Sequence, residues 1–166
     1  LTIMTPLGDI QLPSRLFDHP EIGDEDVVEL RISLVDQDES EGSGVAEIGH
    51  RPIVEISMVV NGERVDISHP DGPIFVRIPY TPSDEEQAQH EHLVVRRIDP
   101  FGNVTPVPAG KFDPDAGSLV FITTVWGQYG IAFVNKTFED TDGYDWARKE
   151  IEVLASRGVI EGTSST

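Results

Sequence analysis

The sequence predicts a mainly β protein, an antiparallel β-sandwich with a short C-terminal α-helical segment. Three observations predict it. Before residue 140 the chain alternates about ten short apolar runs with turn residues, the rhythm of an antiparallel sandwich. Over the same stretch helical periodicity is nearly absent. After Asp145 the pattern changes, and Ala147, Ile151 and Leu154 recur at i, i+4 and i+7 on one helix face.

The elements follow in order. Leu1–Leu12 reads as two short strands around a Pro-Leu-Gly-Asp turn, and Pro13–Phe17 as a single helical turn with proline near its start. His19–Asp26 is a solvated acidic connection. Val27–Val35 alternates, which puts Val28, Leu30, Ile32 and Leu34 on one buried face. Asp36–Gly44 lacks the glycine and the final glutamate of a calcium loop and reads as a surface loop. Pro52–Ile67 forms a hairpin around Asn61-Gly62, a dipeptide whose backbone suits a tight turn. His69–Pro73 is a turn, and Ile74–Tyr80 is a strand that lies at an edge or ends at Pro79, which has no N–H to donate.

Ser83–His92 is polar, a loop or short helix. Leu93–Ile98 is a strand, Pro100–Asn103 a turn, and VTPVP a short strand leading to Gly110-Lys111-Phe112. Asp113–Gly117 turns tightly into the strand Ser118–Val125. Trp126–Gly130 reads as a connection to the last strand, Ile131–Val134. Asn135-Lys136-Thr137 is a junction that divides a β-module, residues 1–134, from a helical appendage, residues 135–166. In the appendage Asp145 is placed to cap the helix start, and Gly158 to end it in the left-handed region. A lone helix of about a dozen residues is marginal in water, so its apolar stripe requires a surface.

Composition excludes several functions. The 166 residues fit one domain, or one domain plus a short appendage, and 38% hydrophobic residues suffice for a core. Thirty acidic against twelve basic residues give a formal charge of -18, which repels nucleic acid and anionic lipid. That charge suits a cell-surface protein or a salt-rich or calcium-rich setting. With no cysteine there is no disulfide, thiol catalysis or zinc–thiolate site. No apolar run approaches membrane-spanning length. The first residues form no signal peptide, and since Leu1 is not an initiator methionine any targeting signal is expected upstream.

No catalytic constellation is present: no G-x-S-x-G elbow, no H-E-x-x-H, no Walker or dinucleotide glycine pattern. The strand carboxylates Glu29, Glu55 and Asp66 are flanked like solvent-facing positions, so no enzyme is expected. His90-Glu91-His92 lacks a third ligand and reads as polar surface. Asp113/Asp115 and Asp140/Asp142/Asp145 are turn or cap sequences before they are calcium sites, and no cofactor or metal is expected. β-Sandwiches can also bind sugars through exposed aromatics, here Trp126 and Tyr129, with Tyr80 and Phe101 behind them. A tryptophan beside Gly127 at a strand end more often plugs a core. A spacer buries its tryptophans, and a sugar binder exposes at least one.

The stretch Phe138 to Gly162, FEDTDGYDWARKEIEVLASRGVIEG, combines an F-x-D turn, a W-A pair, an I-x-x-L stripe and G-V-I-x-G. Over these 25 residues it resembles the opening half of a surface-layer homology (SLH) repeat. Such repeats hold bacterial surface proteins to cell-wall polysaccharide. Trp146 matches the family tryptophan, which implies a place at a glycan site or in helix packing. Asp145 replaces the usual histidine, and the sequence stops before the T-R-A-E-like motif that opens the second helix. The resemblance therefore implies a piece of a larger protein, cut just inside its first repeat. A second resemblance covers roughly Ile74–Val134. VRIPYTP, LVVRRID, FGNVTPVPAGKFDPDAG, LVFITT and WGQYGIAFV are similar to the β-rich module immediately upstream of SLH repeats in exported bacterial proteins. Together the resemblances imply an extracellular, non-enzymatic structural spacer on the bacterial surface. Its partner would be cell-wall polysaccharide, reached through neighbouring SLH repeats, with no nucleic acid and no membrane insertion. The alternative is a carbohydrate-binding module using Trp126 or nearby aromatics.

Overall fold

Alternating apolar and polar residues give each strand a face to bury, and the chain buries these faces by stacking two antiparallel sheets. The computed structural model describes residues 1–18, 22–36, 45–65, 72–138, 141 and 143–162. One sheet runs in the order β1 (Thr2–Thr5), β2 (Gly8–Gln11), β6 (Ile74–Pro79), β10 (Ser118–Thr123), β9 (Lys111–Asp113). The other runs β3 (Val28–Leu34), β4 (Ile53–Val60), β11 (Gly127–Phe133), β7 (Leu93–Ile98), β8 (Val104–Val107), with β5 (Glu63–Val65) also paired to β4. Two α-helices, α1 (Asp84–Ala88) and α2 (Asp145–Ser156), and short 3-10 turns complete the described elements.

The main core lies between the sheets. Ile10, Val76, Ile78, Leu119 and Phe121 from the first meet Val54, Ile56, Met58, Val95, Tyr129 and Ile131 from the second. A smaller cluster of Ile48, Ile53, Val94, Ile98, Ala132 and Val134 covers the far side of the second sheet. Its central strands are thus buried on both faces, which explains why IVEISMVV and LVV are near-continuous apolar runs rather than alternating ones.

Most expected elements are present. The first hairpin pairs Thr2 with Gln11 and Thr5 with Gly8, and the Asn61-Gly62 turn has φ of 51° and 87°, the left-handed pair a tight hairpin needs. β6 does not lie at an edge. It sits between β2 and β10 and stops at Pro79. Leu34 departs from its expected buried row: it is 58% exposed at the end of edge strand β3, and only Val28, Leu30 and Ile32 pack inward. The expected connection at Trp126–Gly130 is corrected more fully. Gly127 through Gly130 are ladder residues of β11, paired to Ile56 through Ile53. Gly130 is required there because the Ile48 side chain occupies the place a Cβ would take. Residues 37–44 of the expected loop, 69–71 of the expected turn and 19–21 of the acidic connection lie outside the described residues.

Candidate functional site

The aromatics singled out from the sequence divide into two environments. Trp126 is 5% exposed and Tyr129 fully buried, both in the main core. Tyr129 stacks at a tilt on Phe121 with ring centroids 4.8 Å apart, and its hydroxyl donates to the Val125 carbonyl at 2.5 Å. Burial pushes its phenol pKa up. Neither ring has a face to offer a sugar, whereas Phe101, named beside them, is 86% exposed. Tyr80 is tied up as well, donating to the Glu86 carboxylate at 3.0 Å. Trp146 is the reverse case, 82% exposed near the start of α2 rather than packed against a neighbour, so the expectation that a spacer buries its tryptophans is met by Trp126 and not by Trp146.

α2 is docked on the second sheet by polar groups. Ser156 is fully buried, and its hydroxyl donates to the Glu152 carbonyl at 2.8 Å. Its hydrogen thus committed, Ser156 Oγ must accept from His92 Nδ1, also at 2.8 Å. The same nitrogen lies 3.2 Å from the Val134 carbonyl, an acceptor only, so Nδ1 carries the proton. Arg96, 3% exposed on β7, donates to the Ser156 carbonyl at 3.0 Å and to Glu47 at 2.8 Å. Its other terminal nitrogen, Nη1, has no hydrogen-bond partner among the described residues. Lys149 pairs with Glu91 at 2.7 Å, which holds the glutamate pKa down and the lysine pKa up.

The helix ends also differ from expectation in part. Asp145 is the first helical residue, not the cap: Tyr144 holds that position without a side-chain bond, and Asp145 reaches Arg148 at 3.5 Å. Gly158 does end the helix in the left-handed region, at φ 71°. Its N–H meets the Ala155 carbonyl, and the Val159 N–H meets that of Leu154. A Cβ at Gly158 would overlap the ring of Pro106 on β8, so this cap is also a contact with the sheet.

The docked face is not the predicted stripe. Ala155 and Ser156 are the helix residues buried against the sandwich, and Lys149 reaches Glu91 at the margin of that contact. Ala147, Ile151 and Leu154 lie roughly a third of a turn away around the helix. Ala147 and Ile151 are half-buried and Leu154 is 39% exposed. The receiving surface presents Arg96 and His92, which select a serine and a backbone carbonyl rather than a leucine. Ala147 and Ile151 of the stripe instead line, with Phe138, Tyr144, Trp146 and Ile160, an open groove of about 430 Å³.

Other candidate chemistry resolves into structure. Glu86 is 4% exposed inside a capping box: it accepts from Ser83 N–H at 2.7 Å while Ser83 Oγ accepts from the Glu86 N–H. Arg51 Nε donates to it at 2.6 Å. This node was legible as S-x-x-E at Ser83, inside a stretch that composition alone marks as polar. The His90-Glu91-His92 triplet is not uniform polar surface, since His92 is buried in the helix-docking node. Glu29 pairs with Arg31 and Glu55 with Arg64, while Asp66 lies outside the described residues. Asp113 accepts from the N–H groups of Asp115 and Ala116, a turn role, and Asp140 and Asp142 lie outside the described residues. Among the described residues no three metal-ligating side chains converge, and no helix is long and apolar enough to cross a membrane.

No protein-family model matches the chain, and no solved structure does. Among curated proteins it is similar to an amylopullulanase of Thermoanaerobacterium thermosulfurigenes, 38% identical over 74 residues. Those residues are 45% of this chain and 4% of the length of that relative.

Proposed function

We propose that this chain is a non-enzymatic structural module of a bacterial surface protein, one that sets the attitude of an adjoining wall-binding repeat. The observation that carries the reading is the docking of α2. The segment that resembles the start of an SLH repeat is fixed to the β-sandwich at Ser156, held by His92 and Arg96, and at Gly158, seated on Pro106. A tether would leave that segment free to swing. The similarity to a stretch amounting to 4% of an amylopullulanase accords with an accessory part of a long protein. In this reading the module is extracellular, and cell-wall polysaccharide is met by neighbouring SLH repeats.

A sedimentation assay with purified bacterial cell walls tests it. The expected result is no retention of residues 1–166 and strong retention of a longer protein carrying complete repeats. Retention of residues 1–166 alone equal to that of the longer protein, or release of reducing sugar from starch, pullulan or wall polysaccharide by them, would overturn the reading.

A further inference from the structure

The outer face of the first sheet carries a second, unassigned surface. Cross-strand register aligns Gln11, Phe75 and Ile122 in one row, and Asp9, Arg77, Val120 and Lys111 in the next. These rows line a groove of about 380 Å³, within the roughly 300–1,000 Å³ of small-ligand sites. Its floor is apolar and open: Phe75 is 45% exposed and Ile122 43%. Phe121 and Phe112, the other phenylalanines on strands of this sheet, are buried on the inner side.

The polar groups beside that floor are not consumed by one another. Arg77 and Asp9 approach only to 3.9 Å, beyond hydrogen-bond range. Among the described residues the Gln11 amide and the Lys111 ammonium make no side-chain hydrogen bond. The groove therefore sets donors (Arg77, Lys111, Gln11) and acceptors (Asp9, Gln11) beside an exposed ring, with Arg77 and Asp9 in a loose ion pair that leaves their hydrogen-bonding capacity unspent on each other.

We propose that this face binds a neutral saccharide chain. A sugar hydroxyl both donates and accepts, which matches paired donors and acceptors, and the C–H face of a pyranose ring can lie on Phe75 and Ile122. An anionic ligand would meet Asp9 and the field of a chain of net charge -18. A peptide added as a strand would pair at the edges, β1 or β9, and leave the face untouched. The longer row crosses four strands, roughly 14 Å at the usual spacing, which favours an oligosaccharide over a single sugar.

NMR titration of the ¹⁵N-labelled chain with cellohexaose, xylohexaose and maltohexaose at millimolar concentration tests this. At least one sugar is expected to shift the amides of Gln11, Phe75, Arg77 and Ile122 saturably. Phe75→Ala, at a partly exposed site, should weaken that binding about tenfold or more without changing the fold. Gln11→Ala serves as the second variant and should weaken it too. Three results would each overturn the proposal: no shifts with any of the three sugars; shifts confined to Tyr144 and Trp146 and indifferent to Phe75→Ala; or concentration-dependent broadening of the face without sugar, which would make it a contact between copies. None of these bears on the docking of α2, so the spacer reading stands or falls separately.

Discussion

His92 Nδ1 donates to Ser156 Oγ at 2.8 Å across 64 residues of sequence, and this bond together with Arg96 fixes the C-terminal helix to β7. Short helices seldom persist alone, so the order of α2 depends on this polar seam.

Removing the hydroxyl should therefore act locally and measurably. Ser156→Ala is expected to lower stability by about 1 kcal/mol and to speed amide exchange in the last turn of α2 more than in β11. Arg96→Met, which loses both the Ser156 carbonyl and Glu47, should lower it by about 2–3 kcal/mol. Melting curves superimposable on the parent's for both variants would remove the seam from the account.

Gly158 is constrained twice, by its φ of 71° and by the ring of Pro106. Gly158→Ala should destabilise by more than the roughly 1 kcal/mol that a left-handed alanine costs. Adding Pro106→Ala should recover the steric part and leave the conformational part. Urea titration of the single and double variants separates the two contributions.

Burial pushes the Glu86 pKa up, but the Ser83 N–H, Arg51 and Tyr80 outweigh it, so the folded-state value lies below the ordinary one. A depressed carboxylate contributes stability above its unfolded pKa of about 4.3 and loses it as pH falls through the folded value. The melting temperature should thus drop below about pH 4.5. Glu86→Gln should cost about 2 kcal/mol at pH 7 and flatten that drop. An acid limb unchanged in Glu86→Gln would place the sensitivity elsewhere.

The two tryptophans should respond oppositely to a quencher. Acrylamide is expected to reach Trp146, 82% exposed, and to spare Trp126 at 5%. Trp146→Phe should leave a blue-shifted, weakly quenched emission from Trp126 alone. Strong quenching in that variant would mean the Trp126 plug opens.

Strands were readable where one physical signal dominated, as in the Asn61-Gly62 hairpin or the apolar run of β4. Two glycines disguised the start of β11, because glycine signals a turn unless one knows that Ile48 needs the space at Gly130. The helix was readable from its stripe and its Gly158 cap, but its docking face was not. That face is chosen by Arg96 and His92, which belong to a distant strand and turn, and local periodicity carries no record of them. Trp126 and Tyr129 fell on the core side of the choice that the sequence left open. The outer-face rows around Phe75 depend on register between strands distant in sequence, which no local pattern encodes.

The seating of Gly158 on Pro106 has a consequence for rotation. With the last turn of α2 clamped to β8, a dye or fused protein attached at Gly162 would inherit the tumbling of the whole sandwich rather than wobble on its own. Fluorescence anisotropy decay from such a label would then show one slow correlation time, and releasing the clamp with Gly158→Ala would add a fast one.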